Sequence, residues 1–381
     1  MSNLITHGIQ KIYPEIEREM QYLMEVNKDC NFIVEQKVIP ITTPIPSLGY
    51  WSGVYIPSHN NIYFIPWTQK SAIKWHYYST IEDKMYEYTP KIASGDLPND
   101  GFYNGIYDYK FNRIILIPYQ TAMSKVSVID TSTIPPRTMT QTLSAGISQL
   151  VCYGVLDSST SRIYLLNAST TTMLYYLDIS QKVITSGYIT IPSTVFNYSK
   201  GGFIDKNGWL YDIRNMASSY TRFNLNNIVN NTLSVTDIQT FNATIGGTTY
   251  SPVYLPHENK IYSGANSKYY DLNSMTDVSV TTGYSSSGIS KNLLNGKIIY
   301  KGLYSIIIRN NFNPTSTSNT LSSYSYPFYY QTIPLITDKN GDVYCFGFYN
   351  ESYTTTIKLA KFQMNLKVKP SMDLIMSGLL N

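Results

Sequence analysis

One turn and the strand that follows it recur seven times along this chain, and that recurrence limits the fold more than any other feature. The copies are "HNNIYFIPW" from His59, "FNRIILIPY" from Phe111, "TSRIYLLNA" from Thr160, "KNGWLYDI" from Lys206, "ENKIYSGA" from Glu258, "LNGKIIYKG" from Leu294 and "KNGDVYCFG" from Lys339. Their register residues, Ile62, Ile114, Ile163, Leu210, Ile261, Ile298 and Val343, are spaced by 52, 49, 47, 51, 37 and 45 positions. Self-similarity at roughly 40–50 residues is the period of a four-stranded propeller blade.

Each copy reads as a hairpin. Asn207-Gly208, Asn295-Gly296 and Asn340-Gly341 are predicted to supply positive φ in a tight two-residue turn, with Asn60-Asn61 as a weaker version. A strand precedes every turn: "SGVYIP", "NGIYDY", "CYGVLD", "KGGFID", "PVYLP", "SGISKN" and "IPLITD". Gly53, Gly105, Gly154 and Gly202 in these strands suit the innermost position, where blades crowd the axis. Two further strand-like runs follow, such as "IKWHYYSTI" and "KMYEYTP" in the first repeat or "TMLYYLDIS" and "VITSGYITI" in the third.

Four strands in each of seven units predict an all-β fold, a seven-bladed β-propeller. The last unit lacks an outer strand, and "NFIVEQKVIPIT" (31–42) lacks a partner in its own repeat. The N-terminal strand is therefore expected to complete the last blade and close the ring, hiding sheet edges and tying the termini together. A six-bladed ring, with the short fifth repeat folded differently, is the alternative. Sandwiches and jelly rolls do not repeat at this period.

Outside the ring, 14–28 reads as a short α-helix, with Pro14 at its start and Glu15, Glu17 and Glu19 near its positive end. Ile16, Met20, Leu23 and Met24 form its apolar stripe, which packs on the propeller itself or docks onto a neighbouring subunit or larger assembly. The expected organisation is a helical segment over 1–30, the propeller over 31–369 and a tail over 370–381.

The chain holds 36 tyrosines but is only 14% charged, with a formal net charge of +4. That charge is too small and too scattered for a nucleic-acid footprint. Cys30, Cys152 and Cys345 are odd in number and far apart, which fits buried thiols better than a disulfide framework or a zinc site. The N-terminus lacks the pattern of a secretory signal, and no apolar run reaches the roughly 18 residues of a membrane span, so membrane insertion is not expected.

Catalytic signatures are missing. No G-x-S-x-G elbow, phosphate-binding loop, HExxH or CxxC occurs, and the turns do not match the S-x-D-x-G-x-T-W boxes of propeller sialidases. The reading is therefore a non-enzyme with no cofactor and no metal. His59 and His257 sit in comparable turns of blades one and five, too far round a ring to share an ion. Asp205 and Asp338 are expected to bond backbone amides within their turns. Sequons at Asn167, Asn197, Asn230, Asn242 and Asn350 are what chance scatters in so Asn-, Ser- and Thr-rich a chain.

Binding residues are sought in the segments that join one blade to the next. The loops 89–105, 131–149, 281–288 and 322–331 are long, and the last is rich in tyrosine. Tyrosine offers area and a hydroxyl at small entropic cost, so Tyr324, Tyr326, Tyr329 and Tyr330 are the candidate ligand-binding residues.

From about residue 31 to 369 the repeats resemble β-propellers in general, without a kelch or WD signature, and that resemblance transfers no functional residue. In its charge-poor, Tyr-, Ser-, Thr- and Asn-rich composition the chain resembles surface proteins of bacteriophages or archaeal viruses. That resemblance implies a non-enzymatic structural propeller at the surface of a virus particle, a spike, fibre or tail component. Its partners would be other virion proteins and, for host attachment, a host-surface glycan or protein. The alternatives are a lectin-like extracellular propeller and, behind it, a propeller hydrolase or lyase.

Overall fold

The recurring turns fold as seven hairpins, each extended outward into a four-stranded antiparallel sheet, and the chain is a seven-bladed β-propeller. The computed structural model describes residues 13–46, 49–98, 100–167, 172–192, 199–214, 219–242, 253–255, 259–263, 268–279, 289–292, 294–301, 305–310, 320–325, 335–348, 354–371 and 374. Blade 1 comprises, from the axis outward, Tyr50–Ile56, Asn61–Pro66, Trp75–Ser79 and Lys84–Tyr88. Blades 4, 5 and 6 repeat this order from Ser199–Ile204, Val253–Leu255 and Ile289–Asn292. The short fifth repeat is thus a complete blade with strands of three or four residues, and the six-bladed alternative falls away.

Blades 2 and 3 share a strand. Arg137–Asp157 pairs through its first half with Thr121–Asp130, the third strand of blade 2. Through its second half it pairs with Arg162–Asn167 and becomes the innermost strand of blade 3. The connecting loop expected over 131–149 is therefore largely strand, which merges the two blades into one seven-stranded sheet.

Ring closure follows the expectation. Phe32–Ile45 runs antiparallel to Thr354–Met364, with Phe32 opposite Met364 and Pro40 opposite Thr356, in the sheet that contains Tyr344. Where the closing strand leaves blade 7, Glu87 of blade 1 receives it. Its carboxylate accepts from the Thr42 amide at 3.1 Å, the Thr43 amide at 2.7 Å and the Thr43 hydroxyl at 2.8 Å. Lys37 pairs with Asp83 of the same blade.

The inner-strand glycines are small for a reason other than crowding at the axis. A Cβ on Gly53 would lie 2.5 Å from Ile336 of blade 7, one on Gly154 2.8 Å from Ile117 of blade 2, and one on Gly202 2.5 Å from Leu166 of blade 3. Gly105 meets Ile65 of blade 1 in the same way. Each glycine is a socket for an apolar side chain of the preceding blade, so blade faces interlock.

The turns also differ from the two-residue expectation. In blades 4 and 7 three residues form the loop, and only the glycine has positive φ, 77° at Gly208 and 83° at Gly341. This is a type I turn followed by a left-handed glycine, whose twist suits a three-residue hairpin. Asp205 accepts the amides of Asn207 and Trp209, both at 2.9 Å, and the Tyr211 hydroxyl at 3.2 Å. Asp338 does the same with Asn340 (2.8 Å), Asp342 (3.0 Å) and the Tyr344 hydroxyl (3.1 Å). Blades 1, 2 and 5 use four-residue loops ending in Asn60, Asn112 and Asn259, at φ of 55°, 50° and 52°. There the hydroxyls of Tyr55, Tyr107 and Tyr254 donate to the asparagine side chains at 3.0–3.2 Å. Five of the 36 tyrosines thus serve these turns, their hydroxyls paired with an aspartate or asparagine side chain.

The helix spans Tyr13–Asn27 and packs on the chain's own core. Met20, Leu23 and Met24 are buried with Ile39, Ile357, Leu359 and Leu374. Asn27, fully buried, accepts from the Lys367 and Val368 amides and donates to the Val368 carbonyl at 2.9 Å. Glu19 accepts from the amide and hydroxyl of Ser371, both at 2.6 Å. The assembly stripe is thereby corrected at Met20, Leu23 and Met24: their apolar surface is spent inside the molecule. The Ile16 side chain lies outside the described residues.

Two substitutions test this architecture. Gly154→Val is expected to lower stability by about 1–3 kcal/mol in urea melts, because the added methyls collide with Ile117. Asp338→Ala is expected to cost about 1–3 kcal/mol by orphaning two amides and a hydroxyl, while Asp338→Asn, whose oxygen still accepts, costs less.

Candidate functional site

The inner hairpin slips by one residue at the same place in four successive blades. The extra residues are Trp51 between Tyr50 and Ser52, Tyr103 between Phe102 and Asn104, Cys152 between Val151 and Tyr153, and Lys200 between Ser199 and Gly201. Such bulges re-aim a side chain and gather next to functional sites. All four lie at the start of an innermost strand, at the end of the propeller opposite the hairpin turns.

In blades 1 to 3 this end carries a cluster of five aromatic rings. Trp51 lies 4.7 Å from Trp67 and 5.3 Å from Tyr103, centroid to centroid. Tyr103 lies 5.2 Å from Tyr119, nearly parallel at 20°, and 5.8 Å from Tyr153, edge on. Trp67 bridges Tyr119 at 4.9 Å and Tyr103 at 6.2 Å. These separations and tilts are those at which aromatic rings attract one another. Tyr103 is the buried centre at 3% exposure, while Trp51, Trp67, Tyr119 and Tyr153 are half-buried and form the floor that meets solvent.

Local backbone geometry places the rings. The second strands of blades 1 and 2 end in Ile-Pro-Trp and Ile-Pro-Tyr, and proline without an N–H stops the ladder there. The next amides turn back: Trp67 N–H donates to Gly49 O at 2.8 Å, and Tyr119 N–H to Gly101 O at 3.0 Å. Gly101 has φ of 85°, and a Cβ there would lie 2.7 Å from the Trp67 carbonyl oxygen, so only glycine lets the two blades approach.

Polar groups surround the floor. Gln120 donates to the Tyr119 hydroxyl at 3.1 Å. Asn104 exchanges two hydrogen bonds with the Gly154 backbone, at 2.9 and 3.2 Å, pinning blade 2 to blade 3. Asn167 stands in the register position of Pro66 and Pro118, with its amide fully buried and unpartnered. Burial closes it to glycosylation in the folded state. Burial also raises the Tyr153 hydroxyl above the ordinary phenol range and lowers the Lys70 ammonium against the pull of Asp100.

Of the four tyrosines expected to bind ligand, the structure places only one, on another blade. Tyr324 belongs to the outermost strand of blade 6, opposite Ile306, and Tyr326, Tyr329 and Tyr330 lie outside the described residues. His59 is a half-buried turn residue 3.4 Å from the Tyr63 hydroxyl. Among the described residues no group of three or more His, Cys, Asp or Glu side chains is placed to hold a metal ion. Sequence reasoning missed the five rings, although the paired "FIPW" and "LIPY" endings were a visible signal.

No protein-family model and no curated protein sequence matches the chain. Solved structures do. A chain of hydrazine synthase from Kuenenia stuttgartiensis superposes with a TM-score of 0.58 at 7% identity, over 84% of this chain and 97% of that one. Virginiamycin B lyase from Staphylococcus aureus superposes with a TM-score of 0.51 at 12% identity, over 87% of this chain and 99% of that one. A catalytically inactive histidine variant of that lyase, solved with quinupristin, gives 0.55 at 11% identity and the same coverage. At such identities the likeness shows the fold alone.

These matches overturn the expectation of a non-enzymatic virion component. Proteins that superpose on this architecture include, by name, a synthase and a lyase, and nothing found supports a likeness to phage or archaeal virus proteins.

Stability should separate the centre of the cluster from its floor. Tyr103→Ala, which removes a ring touching four others, is expected to cost about 3–5 kcal/mol in chemical denaturation. Trp51→Ala, whose ring is only partly buried, is expected to cost less than Tyr103→Ala.

Proposed function

We propose that this chain is a carbohydrate-binding propeller and that the aromatic floor of blades 1 to 3 is its binding site. The observation that carries the reading is the convergence of Trp51, Trp67, Tyr119 and Tyr153 around buried Tyr103, with the leading rings set on bulges that turn them out of the sheet. Indole and phenol faces stack on the C–H faces of sugar rings, and nearby amide and hydroxyl groups exchange hydrogen bonds with sugar hydroxyls. The low charge of the chain, 14%, favours a neutral saccharide over an anionic polymer.

The proposed role is recognition. Among the described residues the floor offers rings and hydroxyls but no nucleophile paired with a base, the arrangement that covalent or acid–base hydrolysis requires. A bound oligosaccharide is expected to be recovered intact after prolonged incubation.

Cellohexaose, chitohexaose and mannohexaose are suitable soluble probes, each titrated by calorimetry at neutral pH. At least one should bind, with Trp51→Ala and Trp67→Ala each weakening it tenfold or more, the loss expected if each ring contributes to stacking on the sugar about what an aromatic ring contributes to stacking on a base, about 1–3 kcal/mol. Wild-type affinity retained in both variants, provided circular dichroism shows them folded, would refute the site. Absence of binding to these probes and to a broad glycan array would refute the function.

A further inference from the structure

One polar clamp between innermost strands is made at the joint of blades 2 and 3 and is left out at the joint of blades 1 and 2. Asn104 donates to the Gly154 carbonyl at 2.9 Å and accepts from the Gly154 amide at 3.2 Å. Both backbone groups of Gly154 therefore point away from their own ladder, toward the axis, where this part of the strand has no sheet neighbour.

Blade 1 builds the same place with a different residue. Ser52 pairs with Ile65, whose side chain enters the Gly105 socket, just as Asn104 pairs with Ile117, whose side chain enters the Gly154 socket. Gly105 pairs with Leu116 as Gly154 pairs with Leu165, each two residues after the bulged Tyr103 or Cys152. The shared register turns the Gly105 N–H and C=O toward the axis as well. Serine ends one bond short of a carboxamide and carries one polar atom instead of two, so it does not clamp this pair. Its Oγ is buried without a hydrogen-bond partner, and among the described residues no side chain bonds the Gly105 backbone. The resulting slot adjoins the aromatic floor: Trp51 precedes Ser52, Tyr103 lies two residues before Gly105, and their rings are 5.3 Å apart. Ser52 and Gly105 are both partly exposed.

We propose that the slot between Ser52 and Gly105 is the polar subsite of the floor and takes a vicinal diol of a sugar ring, one hydroxyl accepting from the Gly105 N–H and its neighbour donating to the Gly105 C=O. The subsite rests on the carbohydrate reading and adds to it the group on the sugar that is recognised.

The chemistry follows from the clamp next door. A carboxamide satisfies the N–H and C=O of one strand residue because it sets an acceptor beside a donor, as Asn104 does on Gly154. Two adjacent hydroxyls of a pyranose offer the same pair, since each can donate and accept. A carboxylate offers acceptors alone and an ammonium donors alone, so neither fills both roles. The rings hold the C–H face of the sugar while its edge hydroxyls turn into the slot. Because Asn104 already occupies the equivalent place in the next joint, the diol is read at one point, which fixes the register of the sugar on the floor. Ser52 is the specificity-determining residue by being short.

Ser52→Asn supplies from the protein the carboxamide that blade 1 lacks, while Ser52→Ala keeps the slot open. For the full chain as wild type and both variants, amide hydrogen exchange at Gly105 and Gly154 is followed by NMR, and cellohexaose, chitohexaose and mannohexaose are titrated by calorimetry. Without sugar, the wild-type Gly105 amide is expected to exchange about tenfold or more faster than that of Gly154, and to slow by a similar factor under a saturating hexasaccharide. In Ser52→Asn it should be slow already without sugar, and affinity should fall about tenfold. Ser52→Ala should bind within about twofold of wild type. A Gly105 amide as protected as that of Gly154 in the free wild type, or unchanged by saturating sugar, would overturn the subsite even if Ser52→Asn fails to fold. Wild-type affinity in a folded Ser52→Asn would overturn it too. Either result leaves the carbohydrate reading standing when Trp51→Ala and Trp67→Ala still weaken binding; if neither the three probes nor a broad glycan array binds, that reading falls and the subsite with it.

Discussion

Everything in this molecule depends on one pairing, that of Phe32–Ile45 with Thr354–Met364. A propeller blade cannot bury both of its faces alone; each face is covered by a neighbour, so an open row leaves two blades half exposed. Joining the two ends of the chain in one sheet removes that loss and holds blade 7 against blade 1. The entropic cost of closing so long a loop grows only logarithmically with its length, by about 0.6 kcal/mol for each doubling, so a ladder of this size readily offsets it. The helix and the residues after the last strand reinforce the same seam: Asn27 and Glu19 grip 367–371 from one side, while Ile39 and Leu359 share their core with Met20 and Leu23.

Around the rest of the ring, adhesion between blades is a matter of shape. Apolar side chains of one blade enter sockets that glycine leaves open in the next, and the aromatic and aliphatic residues between blades 1 and 2, among them Ile65, Trp75, Phe102 and Leu116, form one continuous core. Tyrosine works at the turns, where its ring is buried and its hydroxyl secures an aspartate or asparagine. Two loop designs, one ending in glycine and one in a left-handed asparagine or, in blade 3, serine, reach the same end. In blades 1 to 5 the carbonyl of the left-handed residue receives an amide from just beyond the third strand, as in Asn60 with Thr80 and Gly208 with Leu225.

The proposed binding floor is separated from the turns by position. The turns cluster at one end and are occupied with their own hydrogen bonds; the aromatic floor lies at the other, on bulged strands. A shared architecture with a synthase and a lyase illustrates how little a propeller dictates about its chemistry. The proposed saccharide recognition accordingly depends on Trp51, Trp67, Tyr103, Tyr119 and Tyr153.

The turn, its flanking strands and the seven-fold count were legible in the sequence because each is local: a few residues with turn chemistry and an apolar alternation recur at a fixed interval, and no distant contact is needed to recognise them. The missing outer strand could also be inferred, since an unpaired edge at one end and an unpaired strand at the other imply each other. What the sequence could not show was the purpose of the glycines, because Ile117 and Gly154 meet only when two blades stack. Nor could it single out five rings among 36 tyrosines and 4 tryptophans. Residues some fifty positions apart become neighbours through the curvature of the ring, and a one-residue slip in the inner hairpins of blades 1 and 2 decides which way Trp51 and Tyr103 point. Recurrence along the chain was enough to set the architecture; the site was decided by convergence across blades, a property that exists only after the ring has closed.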